Sequence, residues 1–70
     1  MQQYHVENME TWLWWKQKIV DSGFSIWQTQ YGWDLPTGYI VRFINVDDDE
    51  RFEIVTHSQQ IAEDIINSGL

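Results

Sequence analysis

The stretch Asn8–Gly23, NMETWLWWKQKIVDSG, decides how the rest of the chain must fold. At 100° per residue, Met9, Trp12, Leu13, Lys16, Ile19 and Val20 fall on one face, with Trp15 at its edge. Glu10, Thr11, Gln17, Lys18 and Asp21 fall on the other. The spacing predicts one amphipathic helix over about 9–22. Asn8 has the side-chain oxygen to cap its first turn. Gly23 is suited to the left-handed conformation that ends a helix, with Phe24 folding back onto the last turn. Lys16 lies inside the apolar stripe, where its stem packs while its ammonium reaches water. Trp14 breaks the pattern. It projects among the polar residues, which marks it either as a lone exposed side chain or as an anchor for a partner.

Working outward, Met1 to Glu7 is polar and reads as a loose lead-in. Downstream, FSIWQTQY at 24–31 alternates as a strand does, with Phe24 and Ile26 on one side and Trp27, Thr29 and Tyr31 on the other. Gly32 to Thr37, with its Gly, Asp34 and Pro36 around Trp33, reads as a turn or short irregular loop. Strands follow over about 39–46 and 51–57, separated by an acidic turn. Ser58 is a helix N-cap, and Ile61, Ala62, Ile65 and Ile66 form the stripe of a second helix over about 59–68. Asp21-Ser22-Gly23-Phe24 and Asn67-Ser68-Gly69-Leu70 look alike, but nothing around them repeats.

A two-residue tip at Asp48-Asp49 would set Val46 opposite Arg51 and Phe43 opposite Ile54, with Arg42 and Glu53 as diagonal neighbours. One sheet face then carries Tyr39, Val41, Phe43, Phe52 and Ile54. The expected fold is α+β in the order α-β-β-β-α: a three-stranded antiparallel meander sheet with two helices packed on one face. The opposite face would expose an apolar surface built from Trp27, Tyr31, Ile40, Ile44, Val46 and Val55. Uncovered apolar surface of that extent usually meets a partner. Trp14, Trp27, Tyr31, Trp33, Ile40, Ile44 and Val55 are therefore the candidate partner-binding residues.

Composition narrows the function classes. Seventy residues make one domain near the lower size limit for independent folding. No cysteine is present to cross-link it, and five Trp, three Tyr and three Phe supply the buried area instead. A second copy of the chain is another source of stability. Four Lys and Arg against a net charge of −7 argue against direct nucleic-acid or anionic-membrane binding. No apolar run approaches a membrane span or a signal peptide, so the expected compartment is the cytoplasm.

Catalytic chemistry finds little footing. There is no Cys nucleophile and no Gly-rich phosphate loop, and His5 and His57 belong to no recognisable motif. His57 between Thr56 and Ser58 evokes nucleophile chemistry, but neighbours on a strand point to opposite faces. Asn45, Asp47 and Asp49 imitate the first ligands of a calcium loop. Glu50 replaces its glycine, Thr56 replaces its closing glutamate, and strands replace its helices, so no metal or cofactor is expected. Asp47, Asp48, Asp49, Glu50 and Glu53 form an acidic patch.

Two functional expectations follow. The first is a non-enzymatic protein-binding or regulatory domain, of bacterial or phage accessory type, that meets a protein partner or a second copy of itself through the aromatic sheet face. The second is an acidic inhibitor, or nucleic-acid mimic, that fills the basic groove of a nucleic-acid-binding protein. The two differ in salt dependence, which is steep only for the second.

Overall fold

The computed structural model describes residues 2–31 and 38–70, with the backbone alone at Tyr31. The order is β1 (Gln2–His5), α1 (Met9–Ser22), β2 (Ser25–Tyr31), β3 (Tyr39–Asn45), β4 (Glu50–Thr56) and α2 (Gln59–Asn67). The strands form one mixed sheet in the order β1-β4-β3-β2. This corrects the expected three-stranded antiparallel meander. The polar lead-in is a fourth strand, and β1 lies parallel to β4 with Tyr4 beside Ile54 and His5 beside Val55. Val6 extends the pairing by donating its N–H to the Val55 carbonyl at 2.9 Å, and its side chain is fully buried. α1 therefore carries the chain from one sheet edge to the other.

The core lies on one side of the sheet. Val41, Phe43, Phe52 and Ile54 meet Trp12 and Ile19 of α1 and Ile61 and Ile65 of α2, with Val6 completing the cluster. The caps follow from residue type. Asn8 accepts the Glu10 N–H at 2.8 Å, and Ser58 accepts the Ile61 N–H at 3.3 Å. Gly23 sits at φ 78°, and Gly23 and Phe24 return their N–H groups to Val20 and Ile19.

α1 is rolled away from its predicted phase. Trp12 and Ile19 are buried and Trp15 is half-buried, but Leu13 and Val20 are exposed. The cause is the ring cluster on the Trp15 side. Tyr4 lies 4.5 Å from Trp15 and Phe52 lies 5.9 Å from it, centroid to centroid. On the other flank, Trp12 donates to Asp64 at 2.5 Å and Lys16 lies 3.7 Å from the same carboxylate. That polar seam stands where a fully apolar stripe was expected.

The β3–β4 register also differs. Phe43 faces Phe52 and Asn45 faces Glu50, which leaves Val46–Asp49 as a four-residue turn. The slip from the expected pairing is two residues, so every side chain keeps its face. Arg42 and Glu53 become direct partners in place of diagonal ones. Asp49 takes the left-handed backbone at φ 55° that closes the turn. Asn45 is its internal brace: its Oδ1 accepts the Asp47 N–H at 3.1 Å and its Nδ2 donates to the Ser22 carbonyl at 2.9 Å. At the other end of β3, Gly38 has φ +84° and so little room that a Cβ would lie 2.7 Å from the Thr56 carbonyl oxygen.

A bulge at Trp27 changes β2. Ile26 pairs with Phe43 and Gln28 pairs with Arg42, so Trp27 is the extra residue. Beyond it the alternation is reversed. Thr29 pairs with Val41 and Tyr31 with Tyr39, off the register that placed both with Trp27.

Candidate functional site

The far side of the sheet is where an apolar partner surface was expected. Ile40 is 9% exposed and Val55 is fully buried, so neither is available to a partner. Val55 is interior because β4 is a central strand, with Ile40 on one flank and His5 on the other. Across the middle of this face runs a polar ladder. Gln3 donates to Glu53 Oε1 at 2.8 Å, Arg42 Nε donates to Glu53 Oε2 at 2.9 Å, and Arg42 Nη1 donates to Gln28 at 2.8 Å. One side chain from each strand takes part. The ladder separates Ile40 and Val55 from the other end of the face. There Trp27 remains 43% exposed, Ile44 is half-buried, and the Arg51 guanidinium lies 5.3 Å from the Trp27 ring. Among the described residues, the expected patch is therefore divided by the ladder. Trp33 and the Tyr31 side chain lie outside the described residues.

The acidic patch divides as well. Asp47, Asp48, Asp49 and Glu50 are exposed in and beside the turn, where Asp49 accepts from Arg51 at 3.1 Å. Glu53 has left them for the ladder, and its side chain is only 12% exposed. Among the described residues, no group of three or more His, Cys, Asp or Glu is placed to hold a metal ion. His57 is engaged structurally. Its N–H and its Nδ1 both reach the Glu7 carboxylate, at 2.9 and 2.8 Å.

Two features go beyond the sequence reading, which singles out only Trp14 of the first. The first is the exposed side of α1, where Leu13 and Val20, 51% and 54% exposed, lie together and Trp14, 55% exposed, lies about 100° around the helix from them. Trp14 is held in place: its ring meets Trp15 edge-on at 5.2 Å, and the Lys18 ammonium lies 4.8 Å from its centroid. Its departure from helical phase was visible in sequence. Exposure of Leu13 and Val20 was not, because only the neighbours of α1 decide it.

The second is a half-open cleft of about 240 Å³ between α1 and the start of β4. Its walls are the rings of Tyr4, Trp15, Phe24 and Phe52, and Lys18, Arg51, Glu50, Ser22 and Gln2 also line it. The rings brace one another, with Phe24 4.9 Å from Phe52 edge-on and Phe52 stacked on Phe43 at 5.2 Å. Tyr4 can take part only because β1 is a strand. A loose lead-in hides the cleft from a reading of the sequence.

No protein-family model, characterised protein or solved structure matches the chain. No helix among the described residues is long and apolar enough to cross a membrane. The functional reading therefore rests on the surface itself.

Proposed function

We propose that this chain is a small, non-enzymatic protein-binding domain whose contact surface is the outer face of α1. One observation carries the reading: Leu13, Trp14 and Val20 are each more than half exposed on a helix whose inner face is already used by the core. Large apolar side chains held in place on a helix are what a partner's groove receives. Trp14 is the anchor, and its contacts with Trp15 and Lys18 reduce the ordering cost of binding. Glu10 and Asp21 border these residues, and with a net charge of −7 they favour a partner with a basic rim. The sheet face is a lesser contributor: among the described residues Trp27 and Ile44 remain from it, with Val46 exposed beyond them in the hairpin turn. The groove-blocking alternative has less support, because the clustered carboxylates, Asp47 to Glu50, are confined to one hairpin and Glu53 is withdrawn from them.

The test is affinity capture from the source cell with three tagged proteins: wild type, Leu13→Glu/Trp14→Ala and Trp27→Ala. Circular dichroism would confirm that all three remain folded. The expected result is a partner retained by wild type and Trp27→Ala and lost from the α1 variant. Equal capture by all three would overturn the assignment. Sedimentation of the same proteins shows whether the partner is a second copy.

A further inference from the structure

The sheet has two edges, and β2 is the unguarded one. We infer that β2 pairs antiparallel, edge to edge, with β2 of a second copy of this chain, around a two-fold axis at Thr29. This pairing is separate from the α1 surface and does not depend on it. Natural edge strands are guarded by shortness, by Lys or by Pro. β1, the other edge, is only four residues long. β2 has seven, among them no charged residue and no Pro, and Gln28, Thr29 and Gln30 are exposed. The bulge at Trp27 disturbs only its start. Beyond it, positions 28–31 keep step with β3 one for one.

Backbone direction selects Thr29. The Val55 carbonyl points away from β3, to the Val6 N–H, so its partner Ile40 turns its own N–H and C=O toward β2. The sense alternates along β3, and Val41 turns to β4. Thr29 lies opposite Val41, so its N–H and C=O turn outward from the sheet. Ile26 agrees with this order. It lies opposite Phe43, two residues on from Val41, and donates its N–H outward to the Leu70 carbonyl at 3.1 Å. Leu70 thus closes the edge at Ile26, and the open stretch begins beyond the bulge.

Charge and sequence name the occupant. Two chains of net charge −7 repel, so a second copy fits best where neither brings charge. No Asp, Glu, Lys, Arg or His lies between Asp21 and Asp34, and β2 is inside that interval. The edge is also complementary to itself. Gln28-Thr29-Gln30 reads the same in both directions, so antiparallel pairing around Thr29 sets Thr opposite Thr and Gln opposite Gln. The outward N–H and C=O of Thr29 then bond reciprocally to those of the other Thr29, and Thr–Thr pairs across strands are favourable. The contact lies in the plane of the sheet and leaves the exposed side of α1 uncovered.

The test is sedimentation of the full chain from about 10 µM to about 1 mM, where so small a contact should show a monomer–dimer equilibrium. Circular dichroism would confirm that each variant is folded. Thr29→Pro removes an N–H turned away from β3, a place where edge strands accept Pro, and should give a folded monomer. Thr29→Lys and Thr29→Glu each set like charges directly opposite across the axis and should weaken self-association by about fivefold. Mixing these two should restore the dimer, which keeps the pairing testable even where the Pro variant fails to fold. Leu13→Glu/Trp14→Ala should dimerise as wild type does. A wild type that stays monomeric at about 1 mM would leave the edge to a foreign extended segment and overturn the proposal. A dimer that survives every Thr29 variant, or is lost only from the α1 variant, would overturn it as well. So would a Lys/Glu mixture that associates no better than either variant alone. The α1 surface is judged by capture of its partner, so either reading fails without the other.

Discussion

Two tryptophans two positions apart on α1 have opposite fates. Trp12 is fully buried and donates to Asp64, whereas Trp14 is 55% exposed. Trp12→Ala should cost about 3–5 kcal/mol, comparable to what the core of so small a chain supplies. Trp14→Ala should cost less than about 1 kcal/mol, as surface changes do. Urea unfolding of both variants checks this, and equal losses would place Trp14 in the core. Trp12→Phe separates packing from polarity: it keeps a ring but leaves Asp64 with Lys16 alone, and should fall between the other two. The contrast between the two tryptophans was legible in the 3.6-residue period. The fate of Leu13 and Val20 was not. The period gives relative angles around a helix, while the direction of the core depends on what stands opposite, here Tyr4 and Phe52 on the Trp15 side.

Among the elements, the β3–β4 hairpin shows how much register matters and how little parity does. A two-residue slip preserved every face. It changed the turn, and with it where glycine would help. Within the turn only Asp49 has positive φ, so Asp49→Gly should hold or raise stability, by up to about 0.5 kcal/mol, by relieving the left-handed backbone. Asp49→Val should lower it by about 1–2 kcal/mol. Denaturant midpoints at constant m would show both changes, and a stabilising valine would refute the turn geometry. The ladder on the far face gives a second prediction. Arg42→Ala strands Glu53, whose side chain is 12% exposed, and should cost roughly 1–3 kcal/mol. Removing both with Arg42→Thr/Glu53→Thr should cost less than the two single changes summed. The bulge at Trp27 was illegible, because an extra strand residue shows itself only through the partner strand it fails to pair with.

At the scale of the whole molecule, the strand that makes the sheet mixed was the hardest to read. Gln2–His5 has no alternation of its own, and its partner Phe52–Val55 lies some fifty residues away. Its polar letters suit their places: Gln3 joins the ladder, while Tyr4 and the following Val6 pack against the core. The lock at its end is Glu7. Both carboxylate oxygens accept the His57 N–H, at 2.9 and 3.1 Å, and one accepts from Nδ1 at 2.8 Å. Slight desolvation opposes ionisation of Glu7. The hydrogen bonds from the His57 ring and backbone, with the charges of His57 and His5, outweigh it and hold the carboxyl below its ordinary 4.5. A carboxyl lowered in the folded state adds stability above its unfolded value, and that stability is lost as pH falls through the folded value. Glu7→Gln should therefore be less stable than wild type at pH 7, and the gap should close as pH falls below the ordinary 4.5 and through the lowered folded value. Other carboxylates titrate in the same range, so the difference between the two proteins, rather than either melt alone, isolates Glu7. Hydrogen exchange at the Val6 amide, which donates to Val55, reports locally on β1. It should quicken in Glu7→Gln at pH 7, relative to wild type, more than amides of β3 do. A stability gap that persisted unchanged at pH 3 would show that Glu7 acts through its shape rather than its charge.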